Sequence, residues 1–322
     1  MSPSEIHAGV CLSFVVPVHN EAPSLRELHR AIVDVCMKNA YDYELILVDD
    51  GSEDDGFRVM EELAALDRHL RVIQFRRNFG QTAALCAGID ASTYPYIITL
   101  DADLQNDPQD VPLLLSTLDK GYDVVSGWRK NRKDNWLRRL PSRIANALIS
   151  RVTGVRLSDY GCTLKVYRRE YLHDVPLYGE MHRFIPVLAA WRGARVTEIA
   201  VHHAPRRYGR SHYGIGRTSR VILDLLTVKF LHTYVSRPMH FFGGSGMWLM
   251  GGGILAGLLA FILKIAGIRD FVSTPLPLAS VFLLTVGVQC LLMGLLAELL
   301  IRVYFEQPGK HPYHIHRDIP PR

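Results

Sequence analysis

Two carboxylates one residue apart, Asp101 and Asp103, close the apolar run Tyr96-Ile97-Ile98-Thr99-Leu100, and the amide of Gln105 follows them. In an extended chain residues i and i+2 point to the same side, so the pair is expected to face one hard divalent cation. A cation held by so few carboxylates takes its remaining ligands from phosphate oxygens, and open α/β sheets bind ligands outside the carboxyl ends of their strands. The substrate expected here is a nucleoside diphosphate. An isolated Asp-x-Asp is most often a solvated turn; the apolar strand before this one and the motifs along the rest of the chain favour the metal site.

The elements that must position the pair read as alternating strands and helices. Cys11 to Val18 is a first strand, followed by the polar turn His19-Asn20-Glu21-Ala22-Pro23-Ser24. Ser24 is expected to cap a helix through Leu25, Leu28, Ile32 and Val35, with Glu27 completing a capping box. Glu44 to Val48 is a second strand, ending in Asp49-Asp50-Gly51-Ser52 and leading to a helix around Val59, Leu63 and Leu66. Arg71 to Phe75 is a third, followed by Asn78-Phe79-Gly80-Gln81 and a small-residue helix over Thr82 to Ile89; Tyr96 to Leu100 is a fourth and Tyr122 to Ser126 a fifth. This alternation predicts a mostly parallel sheet covered on both faces.

No strand is followed by G-x-G-x-x-G, which argues against a dinucleotide-binding Rossmann domain. Acidic residues stand at two strand ends instead. Carboxylates repel a bare pyrophosphate, so they need a metal between, or they hold ribose and base edges; Asp49 and Asp50 suit the second role.

The chain has 322 residues, 48% of them hydrophobic, enough for one well-buried domain and something more apolar. No charged residue occurs from Phe241 to Leu263 or from Phe271 to Ala297, and each run exceeds the ~20 residues that cross a bilayer core. Two membrane helices joined by a short loop are expected. The loop holds Lys264, Arg269 and Asp270, whereas the outer flanks hold Arg210, Arg217, Arg220, Lys229, Arg237, Arg302 and Lys310, which places both chain ends in the cytoplasm. Gly253 and Gly257 form a G-x-x-x-G step that permits close approach, either to the second helix or to another subunit. The five cysteines include no C-x-x-C pair and read as reduced thiols. A secretory signal peptide is not expected, because the N-terminus lacks a basic region ahead of an apolar core. The net charge of +5 would suit nucleic acid, but the basic residues crowd beside the membrane segments, so anionic lipid is the expected partner.

Two stretches match a membrane surface. Arg129, Lys130, Arg132, Lys133, Arg138, Arg139, Arg143 and Arg151 form a basic belt before and along a helix expected over Leu137 to Val152, interleaved with Trp128 and Trp136. Arg217 to Ser236 is amphipathic and reads as a helix in the interface plane. His202 and His203 are adjacent, point oppositely on a strand and read as structural. His311, His314 and His316 lie in a proline-containing tail expected to be solvated or to contact a subunit.

In order and spacing, Val16-Pro17-Val18-His19-Asn20-Glu21, Val48-Asp49-Asp50-Gly51-Ser52, Arg77-Asn78-Phe79-Gly80-Gln81 and Leu100-Asp101-Ala102-Asp103-Leu104-Gln105 resemble family-2 glycosyltransferases of the GT-A fold. Gly127-Trp128-Arg129, Asp159-Tyr160-Gly161-Cys162 and His202-His203 followed by Arg206-Arg207-Tyr208-Gly209-Arg210-Ser211 are similar to the polyprenyl-phosphate glycosyltransferases within it. The resemblance covers nearly the whole chain; each motif alone is weak and the ordered set is specific. It implies that Pro17, Glu21, Asp49 and Asp50 contact the nucleoside. Asp101, Ala102, Asp103 and Gln105 would arrange the diphosphate, and Asp101, Asp103 and Gln105 would hold Mg²⁺ or Mn²⁺. Arg206 would close over the donor phosphates, and Arg129, Arg138 and Ser142 would receive the acceptor phosphate. Asp159 is expected in the active site as a base, as a sugar-orienting group or as a turn cap. The sugar pocket matches no one member of the subgroup above another.

The function that the resemblance implies is inverting transfer of a sugar from a UDP-sugar, UDP-glucose first, to undecaprenyl phosphate at the cytoplasmic membrane face, with Asp159, Asp103 and Arg206 in catalysis. The expected division is a GT-A catalytic domain over 1–212, a juxtamembrane amphipathic region over 213–239, and two transmembrane helices within 240–300, about 241–263 and 275–297. A cytoplasmic tail over 301–322 would follow. The resemblance also implies an integral inner or plasma membrane protein that assembles as a homo-oligomer, a tetramer, and no nucleic-acid partner. A processive polysaccharide synthase is the enzymatic rival; no Q-x-x-R-W motif is present and two helices are few for an export channel. An inactive scaffold or lipid carrier is the other rival, and the joint presence of Asp50, Asp101, Asp103, Gln105 and Arg206 argues against it.

Overall fold

The computed structural model describes residues 9–130, 146, 149–172, 175, 177, 179, 181–205, 238–305 and 315–320. They fall in two units, one formed by the chain up to Leu225 with His311–Arg322, the other by Leu226–Lys310.

The first unit is built on an eight-stranded sheet of order β7-β5-β6-β4-β1-β2-β3-β8. Its strands are β1 (Cys11–Val18), β2 (Asp42–Asp49), β3 (Leu70–Phe75), β4 (Tyr96–Thr99), β5 (Val124–Trp128), β6 (Lys165–Arg168), β7 (Val196–Ala200) and β8 (Ile315–Ile319). The helices between them are α1 (Ala22–Asn39), α2 (Gly56–Leu66), α3 (Gln81–Ala91), α4 (Val111–Leu118) and α5 (Ile185–Trp191). Strand β1 pairs in parallel with β2 and β4, and β2 with β3. The chain therefore steps one way from β1 to β3 and reappears on the other side of β1 as β4. That reversal opens a crevice between β1 and β4 at their carboxyl ends.

Strand β6 is antiparallel to both β4 and β5, and β5 is parallel to β7. The carboxyl ends of β5 and β7 and the amino end of β6 consequently share the edge where β1 to β4 end. Every motif named above that lies in this unit's described residues is on that edge, because chain direction puts it there.

Alternation in β1 sends Leu12, Phe14, Val16 and Val18 into one core cluster with Leu25, Leu28 and Ile32 of α1, Leu45 and Leu47 of β2 and Leu114 of α4. Leu25 and Ile32 are fully buried, and each such side chain contributes about 1.5–3 kcal/mol by leaving water.

The helix starts differ from the capping-box expectation. Helix α1 begins at Ala22 with Pro23 in its first turn, and Ser24 Oγ donates to the carbonyl of Glu21 at 2.8 Å in place of capping. The cap comes from another loop: Asp54 Oδ2 accepts the Ala22 N–H at 2.9 Å. Leu66, expected on the buried face of α2, is 82% exposed. Of the helix expected over Leu137–Val152, described residues 146 and 149–152 are helical; the rest, and all but the end of the 213–239 region, lie outside the described residues. The segment read as a tail contributes β8, antiparallel to β3, with Arg71 donating to both carboxylate oxygens of Asp318 at 3.0 and 2.7 Å.

The second unit is a pair of helices, α6 (Pro238–Ile265) and α7 (Leu276–Phe305). Both are long and apolar enough to cross a membrane, with spans Met239–Ile265 and Leu276–Leu300. Side chains such as Leu255 and Leu278 are exposed, as suits a lipid-facing surface. The G-x-x-x-G step is used within the chain: a Cβ at Gly253 would meet the Ser280 carbonyl at 3.0 Å, and Ser280 Oγ donates to the Gly253 carbonyl at 2.7 Å.

Candidate active site

The floor of the crevice on the β1–β2–β3 side is made of backbone and short polar side chains. Asp50, at the end of β2, is 3% exposed. Its Oδ1 accepts the Phe79 N–H at 2.6 Å and its Oδ2 the Gly80 N–H at 2.9 Å. Burial pushes its pKa up, and those two N–H donors work against the rise. Its own carbonyl accepts from His19 Nδ1 at 3.0 Å, and a carbonyl can only accept, so Nδ1 carries the proton. His19 Nε2 is then an acceptor, and the side-chain amides of Asn78 and Asn20 reach it at 3.2 and 3.3 Å. Gly51 has φ +65°, and a Cβ there would lie 2.4 Å from the Arg77 carbonyl carbon. Three strand ends are stitched into one surface. Pro17 is in β1 opposite Val48, and Glu21 is the residue that precedes α1.

Asp49 sits beneath this surface. It is fully buried, its Oδ1 accepts the Ser52 N–H at 3.0 Å, and its Oδ2 accepts from Gln74 Nε2 at 3.3 Å. Asp49, expected at ribose or base, has both oxygens bonded in the turn that presents Asp50.

The carboxylate pair follows β4 in a turn, since the strand ends at Thr99 and Leu104 takes φ +58°. The extended geometry expected for Asp101 and Asp103 is therefore replaced by a turn that still keeps them within electrostatic reach. Burial first, then the Asp103 charge, pushes Asp101 up to about 6. Gln81 Nε2, at the start of α3, donates to Asp101 Oδ1 at 2.7 Å, and the Gln105 N–H donates to Asp103 Oδ1 at 3.2 Å. Ala102 between them is buried. Among the described residues no group of three or more His, Cys, Asp or Glu gathers around one point. An all-oxygen set of two repelling carboxylates and an amide fits a hard ion such as Mg²⁺ or Mn²⁺ that keeps most of its ligands from elsewhere.

On the β4–β6–β5 side the site is made of charged side chains. Arg129, just past β5, donates from Nε to Asp159 Oδ2 at 2.7 Å and from Nη2 to Asp159 Oδ1 at 2.9 Å. The two side chains are 13% and 10% exposed. Burial opposes the charge on Arg129, but the Asp159 hydrogen bonds outweigh it and the guanidinium stays protonated. Lys165 opens β6 and is 3% exposed; its Nζ donates to the Tyr160 carbonyl at 3.3 Å. Burial brings its pKa down to about 8, against the pull of Cys162, Asp159 and Asp101. His182 shares a hydrogen bond of 2.8 Å between Nδ1 and Thr82 Oγ1, and burial with Arg183 and Lys165 nearby holds it down to about 3, so it is neutral.

The segment leading to Arg206 is rooted at the carboxylate loop. The Ala204 N–H donates to the Gln105 carbonyl at 2.9 Å, Asn106 bridges His203, and Asp110 accepts from the His202 N–H at 2.6 Å and from its Nδ1 at 2.7 Å. Arg206, Arg138 and Ser142 lie outside the described residues. The structure thus brings Asp50, Asp101, Asp103, Gln105, Arg129 and Asp159 to one edge.

Sequence reasoning quoted Gln81 in a motif without giving it a role, and it missed Thr82, Asp110, Lys165 and His182 as site residues. Lys165 carried a usable signal, a lysine inside the apolar run Leu164-Lys165-Val166-Tyr167; the partners of the others are 20 to 100 residues away.

The model of glycosyl transferase family 2 matches residues 13–175. The chain is 45% identical over 316 residues to dodecaprenyl-phosphate galacturonate synthase of Rhizobium johnstonii, covering 96% of this chain and 92% of that protein. It is 39% identical over 319 residues to undecaprenyl-phosphate 4-deoxy-4-formamido-L-arabinose transferase of Pseudomonas fluorescens, covering 98% and 91%. Among solved structures it is similar to glucosyl-3-phosphoglycerate synthase from Mycobacterium tuberculosis in complex with Mn²⁺ and UDP-glucose. That likeness has a TM-score of 0.55 at 20% identity, over 70% of this chain and 81% of that one, and it bears on the fold.

Proposed function

We propose, from the premise that this chain belongs to glycosyltransferase family 2, that it transfers a sugar from a UDP-sugar to the phosphate of a polyprenyl lipid. The observation that carries the reading is the juxtaposition of a repelling carboxylate pair with a buried guanidinium on one sheet edge, Asp101 and Asp103 after β4 and Arg129 after β5. The first site suits a metal-bridged diphosphate, the second a phosphate acceptor. Relatives aligned over almost all of the chain bear polyprenyl-phosphate names, and α6 and α7 are apolar enough to keep the enzyme where such a lipid resides. For the sugar, we place a uronic acid ahead of the glucose expected from sequence, because the 45% identical relative is named for galacturonate.

Asp50 and the His19–Asn78 surface hold the nucleoside, and Asp101, Asp103 and Gln105 would hold Mg²⁺ or Mn²⁺ beside the diphosphate. When bound, the ion supplies charge neutralisation for the departing diphosphate. The acceptor is a phosphate monoester, anionic near neutral pH, so its oxygen needs no base. That oxygen forms the new bond to the anomeric carbon as the bond to the diphosphate oxygen breaks, the electron pair leaves with UDP, and the carbon inverts. Arg129 orients the attacking phosphate, and the resemblance assigns Arg138 and Ser142 to the same phosphate and Arg206 to the donor phosphates. Strand β8 returns the chain to the unit that precedes α6. If both helices span the membrane, their outer ends are on one face, and the basic flanks make that face cytoplasmic.

The test is UDP release from a panel of UDP-sugars by purified protein, with and without undecaprenyl phosphate, alongside Asp103→Ala. Release that requires the lipid, a divalent ion and Asp103 is expected, with the responding donor naming the sugar. Release that ignores the lipid would replace this reading with hydrolysis or another acceptor.

A further inference from the structure

A base needs a lone pair free to face the acceptor, and Asp159 has little to spare. Its Oδ2 accepts Arg129 Nε at 2.7 Å and the Arg129 backbone N–H at 3.4 Å; its Oδ1 accepts Arg129 Nη2 at 2.9 Å and the Gly161 N–H at 3.1 Å. Gly161 closes the turn against this pair: a Cβ there would stand 3.1 Å from Arg129 Nη2 and 3.5 Å from Asp159 Oδ1. The carboxylate occupies one edge of the guanidinium fork through Nε and Nη2. Nη1 is left over, and among the described residues Arg129 donates hydrogen bonds to no group but Asp159. A planar fork gripped along one edge has its other edge fixed in direction.

We infer that Asp159 is a positioning residue for Arg129, clamping one edge of the guanidinium so that the Nη1 edge meets the acceptor phosphate. It is neither the base nor a group that touches the sugar. The inference rests on the proposed function, in which Arg129 receives the acceptor phosphate. A charge pair buried to this degree keeps its geometry only while both members are present, because removing one leaves the other desolvated and free to turn. Asp159 therefore acts on acceptor affinity through Arg129, and the chemical step needs nothing further from it.

The experiment is steady-state kinetics of the detergent-solubilised full chain with lipid phosphate and the responding UDP-sugar, for Asp159→Asn, Arg129→Ala, Arg129→Lys and the double variant Asp159→Asn/Arg129→Ala. UDP affinity by calorimetry checks that each variant keeps its nucleotide floor. Asp159→Asn is expected to raise the acceptor KM by about 30-fold or more, with kcat and the donor KM close to the parent's. In the Arg129→Ala background it is expected to add no further rise. Arg129→Lys keeps the charge but cannot span both carboxylate oxygens, and it should raise the acceptor KM in the same way even if Asp159→Asn fails to fold. A fall in kcat at unchanged acceptor KM for Asp159→Asn, or two effects that multiply in the double variant, overturns the inference. An unchanged acceptor KM in Arg129→Ala overturns it together with the acceptor assignment beneath it. A raised KM in Arg129→Ala beside an unshifted Asp159→Asn overturns the inference alone.

Discussion

The two sides of the crevice are built from different materials. On the β1–β2–β3 side the two strand-end carboxylates are answered by backbone N–H groups and an amide: Asp50 by Phe79 and Gly80, Asp49 by Ser52 and Gln74. On the β4–β6–β5 side charge answers charge, Asp159 to Arg129, with Lys165 and Asp101 in the same field. A backbone-built surface fixes shape and recognises a rigid group such as a nucleoside. A side-chain-built one can exchange partners, which suits a phosphate that must arrive, react and leave. The first side should therefore be intolerant of backbone change and the second of charge change.

The sharpest break on the first side is Gly51→Ala. Its φ of +65° and the 2.4 Å approach of the Arg77 carbonyl carbon leave no room for a methyl. Left-handed strain and overpacking together are expected to destabilise this unit by about 2–6 kcal/mol and to abolish UDP binding, read by thermal unfolding and calorimetry. If stability and UDP affinity are retained, the floor is not the rigid surface described.

A smaller effect separates the neighbouring carboxylates. Asp50→Asn must turn an amide NH₂ toward one of two backbone N–H donors that cannot flip, costing about 1.5–3 kcal/mol. In Asp49→Asn the amide oxygen keeps Ser52, and Gln74 can rotate its own amide to accept, so the cost is below about 1 kcal/mol. Urea unfolding of the pair measures the contrast, and equal losses would mean that Asp50 is not held by Phe79 and Gly80.

The same division explains what was legible. Strands β1 to β5 and helices α1 to α3 follow from periodicity and local turn residues, the two long helices α6 and α7 from their uncharged apolar runs, and the carboxylate pair from its place after an apolar run. The cap on α1 was not legible, because Asp54 supplies it from 32 residues away. Asp49 and Asp50 looked alike as a strand-end pair; only the fold shows that Gln74 and Ser52 turn the first inward. Strands β6 to β8 are short, β6 runs antiparallel, and the reason Lys165 and Asp159 matter lies in partners that sequence spacing does not bring together. Recognition of the motif set located Arg129 and Asp159 separately, and it did not reveal that they bind each other.

On the second side the finest probe is Lys165→Met, which keeps the side-chain length and deletes the ammonium. Near pH 7.5 two changes offset one another, loss of the 3.3 Å bond to the Tyr160 carbonyl and relief of a buried charge, so stability should stay within about 1.5 kcal/mol of the parent. The pH dependence then separates the variants. Burial lowers Lys165 from 10.5 in the unfolded chain to about 8 in the fold. Between those values the unfolded state holds a proton that the folded state has lost, so the parent gains stability as pH rises from 8 towards 10.5. Lys165→Met has no such group and lacks that gain, while the remaining titrating groups are common to both and cancel in the difference. Urea midpoints of the two proteins from pH 7.5 to 10 should therefore diverge in the parent's favour. Parallel curves would mean that Lys165 is solvated at no penalty, and the charge on this side of the crevice would then not be held away from water.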